Sequence, residues 1–151
     1  MWDMRNLPGK DGAERGKLRV LLADQSPAMR HQFRKKLEEL PSIEIVGEAG
    51  RDDQALELSF QLQPDVLVVS ASLPNQGGFE VLRHIKRSLE NCRVILMSYR
   101  PSPFIEIAGR LLGATGVCPI EAGLTQLCDL VQGKFERRAG ATVIISESVN
   151  Q

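Results

Sequence analysis

The chain has 151 residues, 42% hydrophobic and 25% charged, enough for one domain that buries a core without cross-links. Its 19 basic residues balance its 19 acidic ones, which removes a global pull toward nucleic acid or an anionic membrane, and no apolar run approaches the roughly 18 residues that span a bilayer. Cys92, Cys118 and Cys128, spaced by 26 and 10, form no CxxC or Cys/His cluster, so they read as small core hydrophobes in a reducing, cytoplasmic compartment, with no disulfide framework and no zinc site.

Residues 1–17 carry charges and three glycines but no continuous apolar stretch, which predicts a flexible arm and no secretory signal. Leu18–Ala23 is a short apolar run expected to form a buried strand. It ends in Asp24-Gln25-Ser26-Pro27, where Ser26 as N-cap and Pro27 at the first helical position start a helix. Met29, Phe33, Leu37 and Leu40 recur along it at helical spacing, and Pro41 stops it. Ile43–Val46 predicts a second strand, followed by Gly47-Glu48-Ala49-Gly50, an Asp52/Asp53 cap and a second helix with Ala55, Leu58 and Leu62 on one face.

Pro64-Asp65 opens a third strand, Val66–Val69, apolar on both faces. A loop with Pro74, Gly77 and Gly78 leads to a third helix through Phe79, Leu82 and Ile85. Then come strand Val94–Met97, a fourth helix from about Pro103 to Leu112, a weak strand at Gly116–Cys118 and a last helix near Leu124–Val131. Apolar strands alternating with helices predict five β-α units and a parallel sheet covered on both faces. Function in such sheets gathers at the carboxyl ends of the strands, where Asp24, Gln25, Ser70, Ser98, Pro119 and Ile120 fall.

From Leu18 to about Phe135 the stretches LRVLLAD, IEIVGEAG, ALELSFQLQPDVLVV, LPNQGGFEVLRHIK, RVILMS and GATGV, in this order, resemble the receiver domain of bacterial response regulators, particularly the NarL/FixJ subfamily. The resemblance implies a flavodoxin-like doubly wound α/β fold with five helices and strand order 2-1-3-4-5. In that family two acidic residues after strand one and an aspartate after strand three hold Mg²⁺ while the latter attacks a phosphoryl donor, because Mg²⁺ wants hard oxygen ligands and an acyl phosphate needs a carboxylate. Here Asp24 matches the first acid, but Gln25 stands at the second and Ser70 at the phosphoacceptor. The family's lysine falls on Ile120. Ser98 matches the switch hydroxyl, and the switch aromatic falls on Val117. A degenerate crevice with no catalytic residue, no metal and no cofactor is therefore expected.

Other residues of note have plainer readings. Ser70 lies outside a GxSxG elbow, and neither His31 nor His84 sits at a strand end to serve it as base; both histidines read as solvated helix faces. Asp24 reads as a hydrogen-bonding cap where the first helix begins. On the fourth helix, Ile105, Ala108 and Leu112 form one stripe and Phe104, Ile107 and Leu111 a second. One stripe should face the sheet, leaving Phe104, Ile107 and Leu111 as a candidate interaction face. Leu56 and Phe60 form a weaker example, which the arm with Trp2 could cover.

Residues 136–151 resemble the linker that leads, in NarL/FixJ regulators, to a helix-turn-helix domain, and Thr142–Ile145 has β-character. The expected function is a stand-alone, phosphorylation-independent receiver-like regulator, not an enzyme. It would bind a protein partner or a second copy through the helix-four, strand-five, helix-five face, with no direct contact to membrane or nucleic acid. Two alternatives remain open: the receiver part of a transcription regulator whose DNA-binding domain is absent from this chain, and a small-molecule sensor using the emptied crevice.

Overall fold

The computed structural model describes residues 16–100 and 102–134; the expected arm with Trp2 and the tail with its Thr142–Ile145 run lie outside them. In chain order the elements are β1 (Leu18–Ala23), α1 (Pro27–Leu37), β2 (Ile43–Ala49), α2 (Asp52–Leu62), β3 (Val66–Ser70), a 3₁₀ turn (Pro74–Gln76), α3 (Gly77–Ser88), β4 (Arg93–Ser98), α4 (Pro103–Leu111), β5 (Gly116–Pro119), a second 3₁₀ turn (Ile120–Ala122) and α5 (Leu124–Gln132). All strand pairs are parallel, in the order β2-β1-β3-β4-β5. This is the flavodoxin-like receiver fold expected from the sequence.

Alternation along the strands builds two cores. Val20, Leu22, Val66, Val68, Ile95 and Met97 point to one face, where Phe33 and Leu37 of α1 and Leu127 and Val131 of α5 cover them. Leu21, Ala23, Leu67, Val69, Val94 and Leu96 point to the other, under Ala55 of α2 and Val81, Leu82 and Ile85 of α3. Burial on both faces explains why β3 is apolar up to its last residue.

The helix starts follow their caps. The Ser26 hydroxyl accepts from the Met29 N–H with Pro27 at the first position, and Ser102 does the same for Ile105 ahead of Pro103. Several expectations need correction. The first helix ends at Leu37, before Pro41, and Leu40 packs on the core from the turn beyond it. Asp52 and Asp53 do not cap the second helix: they are its first two residues, with Arg51 at the cap position, where their charges favour the positive end of the helix dipole. β2 continues past Val46 to Ala49, because Gly47-Glu48-Ala49 pairs with Leu21-Leu22-Ala23 after a register shift.

The second helix turns a polar residue inward. Ser59 is fully buried beside Ala55, and its hydroxyl has no hydrogen-bond partner among the described residues. The Arg19 guanidinium donates to the Leu62 and Gln63 carbonyls at the end of this helix. At the far side, Arg93 does the same for Leu130 and Val131. No helix among the described residues is long and apolar enough to cross a membrane.

Candidate functional site

The carboxyl ends of β1, β3 and β4 lie side by side and bring Asp24, Ser70 and Ser98 together. All three side chains are buried, Asp24 completely. A polar group with no access to water must find partners in the protein, and each of these does.

Asp24 finds its partner across the sheet. The hydroxyl of Tyr99, the residue after β4, reaches over the end of β3 and lies 2.8 Å from Asp24 Oδ1 and 2.6 Å from Oδ2. The Ser26 N–H donates to Oδ1 at 2.8 Å, which places Asp24 where the first helix begins as well. Arg30 donates to the Asp24 backbone carbonyl at 2.6 Å and not to the carboxylate. Its Nε pairs with Glu48 at 3.0 Å, and Arg34 pairs with the same carboxylate at 2.7 Å. Burial works against the Glu48 charge, but the hydrogen bonds and attraction of Arg34 and Arg30 outweigh it and hold this carboxyl below its usual range. Burial, reinforced by the hydrogen bond and the negative charge of Asp24, pushes the Tyr99 phenol well above its usual value, so the proton stays on tyrosine.

Ser70 and Ser72 form a small hydroxyl pair. Their Oγ atoms are 2.7 Å apart and the Ser72 N–H donates to Ser70 Oγ at 3.0 Å. Gln25 Nε2 donates to Ser72 Oγ at 3.1 Å, so the amide at the second acidic position closes the rim of the crevice over β3. Ser98 does not join this group; its hydroxyl donates to the Arg100 carbonyl in the loop ahead of α4. Gly78 shapes the wall below Ser70: a Cβ there would sit 2.2 Å from the Ser70 carbonyl oxygen, so only glycine lets α3 approach β3 so closely.

The remaining sequence-derived positions are distributed differently. Ile120 packs half-buried on the α1/α5 core beside Leu124. Val117 packs on the opposite core; a Cβ on Gly109 of α4 would lie 3.1 Å from Val117 Cγ2 and 2.8 Å from Leu96 Cδ2, so α4 rides directly over this small side chain. His31 and His84 are exposed. Ile105 of α4 and Leu112, the residue just after it, pack toward the sheet, while Phe104, Ile107 and Leu111 are 72%, 60% and 81% exposed. The Phe104 ring meets Phe79 of α3 edge-on at 6.5 Å. On α2, Leu56 packs on the core and Phe60 stays outside.

Two residues of the site were not singled out by the motifs. Tyr99 is the chain's one tyrosine and directly follows the strand-four serine, a position at a strand end that the topology rule marks for function. Ser72 sits two residues beyond the phosphoacceptor position. No group of three or more His, Cys, Asp or Glu residues that could hold a metal occurs among the described residues. The cysteines are buried and free; burial pushes Cys92 up to about 11 and Cys118 up to about 12, which leaves them protonated and inert.

Residues 20–132 match the response regulator receiver domain. The transcriptional regulatory protein YxjL of Bacillus subtilis is 27% identical over 137 residues, which cover 87% of this chain and 63% of YxjL. The protein-glutamate methylesterase/protein-glutamine glutaminase of Alkalilimnicola ehrlichii is 39% identical over 71 residues, 47% of this chain and 18% of that enzyme. The chain thus spans less than two thirds of the length of either. Among solved structures, the signal receiver domain of the response regulator NarL from Mycobacterium tuberculosis superposes with a TM-score of 0.73 and 30% identity, over 82% of this chain and 99% of that domain. The chain belongs to the response regulator receiver domain family.

Proposed function

We propose that this receiver domain signals without being phosphorylated, as a cytoplasmic regulator or adaptor whose output is protein binding. The observation that carries this reading is the Tyr99 hydroxyl on both oxygens of Asp24. Asp24 is the one carboxylate among the described residues at the strand ends where the family gathers its Mg²⁺ ligands. Mg²⁺ needs hard oxygen ligands in near-octahedral geometry and more than one fixed charge, and a neutral amide, two serine hydroxyls and one engaged carboxylate do not fit it. A serine at position 70 offers no carboxylate for an acyl phosphate, and Ile120 offers no cation for the phosphoryl charge.

Output falls to the surface formed by α4, β5 and α5, which the family commonly uses for dimerisation and output. The exposed Phe104, Ile107 and Leu111 supply the apolar area that a protein partner or a second copy would bury. The test is incubation with acetyl phosphate and Mg²⁺ followed by intact-mass spectrometry. No phosphoryl adduct is expected at any ratio that fully modifies an active receiver; an adduct mapped to Ser70 or Asp24 would overturn the reading.

A second reading has one specific observation in its favour: the match to YxjL, a transcriptional regulatory protein, covers 87% of this chain but 63% of that relative. On that reading the domain is the receiver part of a longer transcription regulator, and the α4 face governs the output of the missing part. A helix-turn-helix segment encoded directly downstream would establish it.

A further inference from the structure

We infer that the Tyr99–Asp24 hydrogen bond is a latch that fixes the position of α4, so that the crevice and the exposed α4 face are mechanically one unit. This inference rests on the reading of Asp24 as a carboxylate without a metal. Three observations support it. Tyr99 begins the connection between β4 and α4, with Ser102, the α4 N-cap, only three residues further on. Its hydroxyl anchors that connection to the end of β1, two strands away.

The second observation is how little else holds α4. It buries a single residue, Gly109, whereas α3 buries five and α5 four. Its long apolar residues Phe104, Ile107 and Leu111 face outward. An element with so few buried side chains opens at low cost, and one strong tether in the adjoining loop then decides its population. The third observation is that the tether has a second strand of support in the same loop, the Ser98 hydroxyl on the Arg100 carbonyl. That bond ties Arg100, the residue after Tyr99, back to the end of β4.

A partner that grips Phe104, Ile107 and Leu111 in a shifted α4 would pull Tyr99 from Asp24. Conversely, a group that competes for the Asp24 carboxylate would release α4. The two sites are reciprocal, as linkage requires.

The test uses the full chain in EDTA. Hydrogen–deuterium exchange is compared between the wild type and Tyr99→Phe. At exchange times too short for global unfolding to contribute, amides 105–112 should exchange about tenfold faster in the variant, while those of α1, α3 and α5 stay unchanged. No change at α4, or an equal acceleration in every element, would overturn the latch. A second measurement guards against a variant that folds poorly. Tyr99 is the one tyrosine in the chain, so ultraviolet titration reports it alone. In the wild type it should ionise well above the ordinary phenol range near about 10, and Asp24→Asn should move it back down. A wild-type phenol that titrates in the ordinary range would show that the bond is not made in solution. Because these measurements contain no Mg²⁺ or phosphoryl donor, their outcome is independent of whether the acetyl phosphate experiment succeeds.

Discussion

Removing the Tyr99 hydroxyl should cost stability in proportion to what Asp24 loses. Asp24 is fully buried and accepts from two donors, the Tyr99 hydroxyl and the Ser26 N–H. Tyr99→Phe takes away the donor that spans both carboxylate oxygens. A hydrogen bond to a charged group contributes about 1.5–3 kcal/mol. Tyr99 itself is half-buried, so water can partly replace the lost hydroxyl, and the lower end of that range, about 1.5–2 kcal/mol, applies. Asp24→Asn keeps an acceptor for Ser26 and removes the buried charge, so about 1 kcal/mol is expected. Because the two changes delete the same bond, the double variant should be more stable than their sum predicts by about 1 kcal/mol.

The assay is urea unfolding with the four proteins of this cycle at one pH. The midpoint should move while the slope stays constant. Single-variant losses below about 0.5 kcal/mol with no coupling would refute the argument, since surface substitutions behave that way. Such a result would mean that Asp24 is hydrated in solution and that the pair contributes nothing.

Three further outcomes follow from particular contacts. Gly78→Ala places a Cβ 2.2 Å from the Ser70 carbonyl oxygen and 2.9 Å from Ala71 Cα; because backbone cannot yield as a side chain can, a loss of about 2–3 kcal/mol is expected in the same urea assay. Glu48→Gln should cost about 1 kcal/mol at neutral pH, because Glu48 joins Arg30 and Arg34 in one partly buried network. The Glu48 carboxyl is depressed in the folded state, so this contribution is present above the unfolded value near about 4.3 and is lost as pH falls through the lower folded value; the wild-type and variant stability curves should converge below that point. Cys92 and Cys118, pushed up by burial, should resist a thiol reagent at neutral pH until urea unfolds the chain.

The sheet was legible in the sequence because the inner strands β1, β3 and β4 are buried on both faces along most of their length, which leaves continuous apolar runs such as Val66–Val69. The end of β2 was not. Gly47-Glu48-Ala49 reads as a turn by propensity, yet pairing with β1 draws it into the sheet, an effect of tertiary contacts that no local pattern contains. Ser59 was hidden for a similar reason: it interrupts an apolar helix face and is buried all the same. The crevice positions at Asp24, Gln25, Ser70 and Ser98 could be found from the strand ends and the family motifs. The partner of Asp24 could not, because Tyr99 is 75 residues away in sequence and reaches it only through the β1-β3-β4 order. The family motif ends at Ser98, one residue short of Tyr99. On α4 the two stripes at helical spacing separated inward from outward residues correctly, because a helix on a sheet can bury only one face.

The central claim is that the crevice no longer binds a metal-bound phosphoryl group. The most direct measurement is a titration of the labelled protein with Mg²⁺ and beryllofluoride, followed through the backbone amides of Asp24, Ser70, Ser98 and Tyr99. The account predicts no saturable shift at these residues. Saturable shifts there, propagating into residues 103–111, would show that the site still accepts the acyl-phosphate mimic and would contradict it.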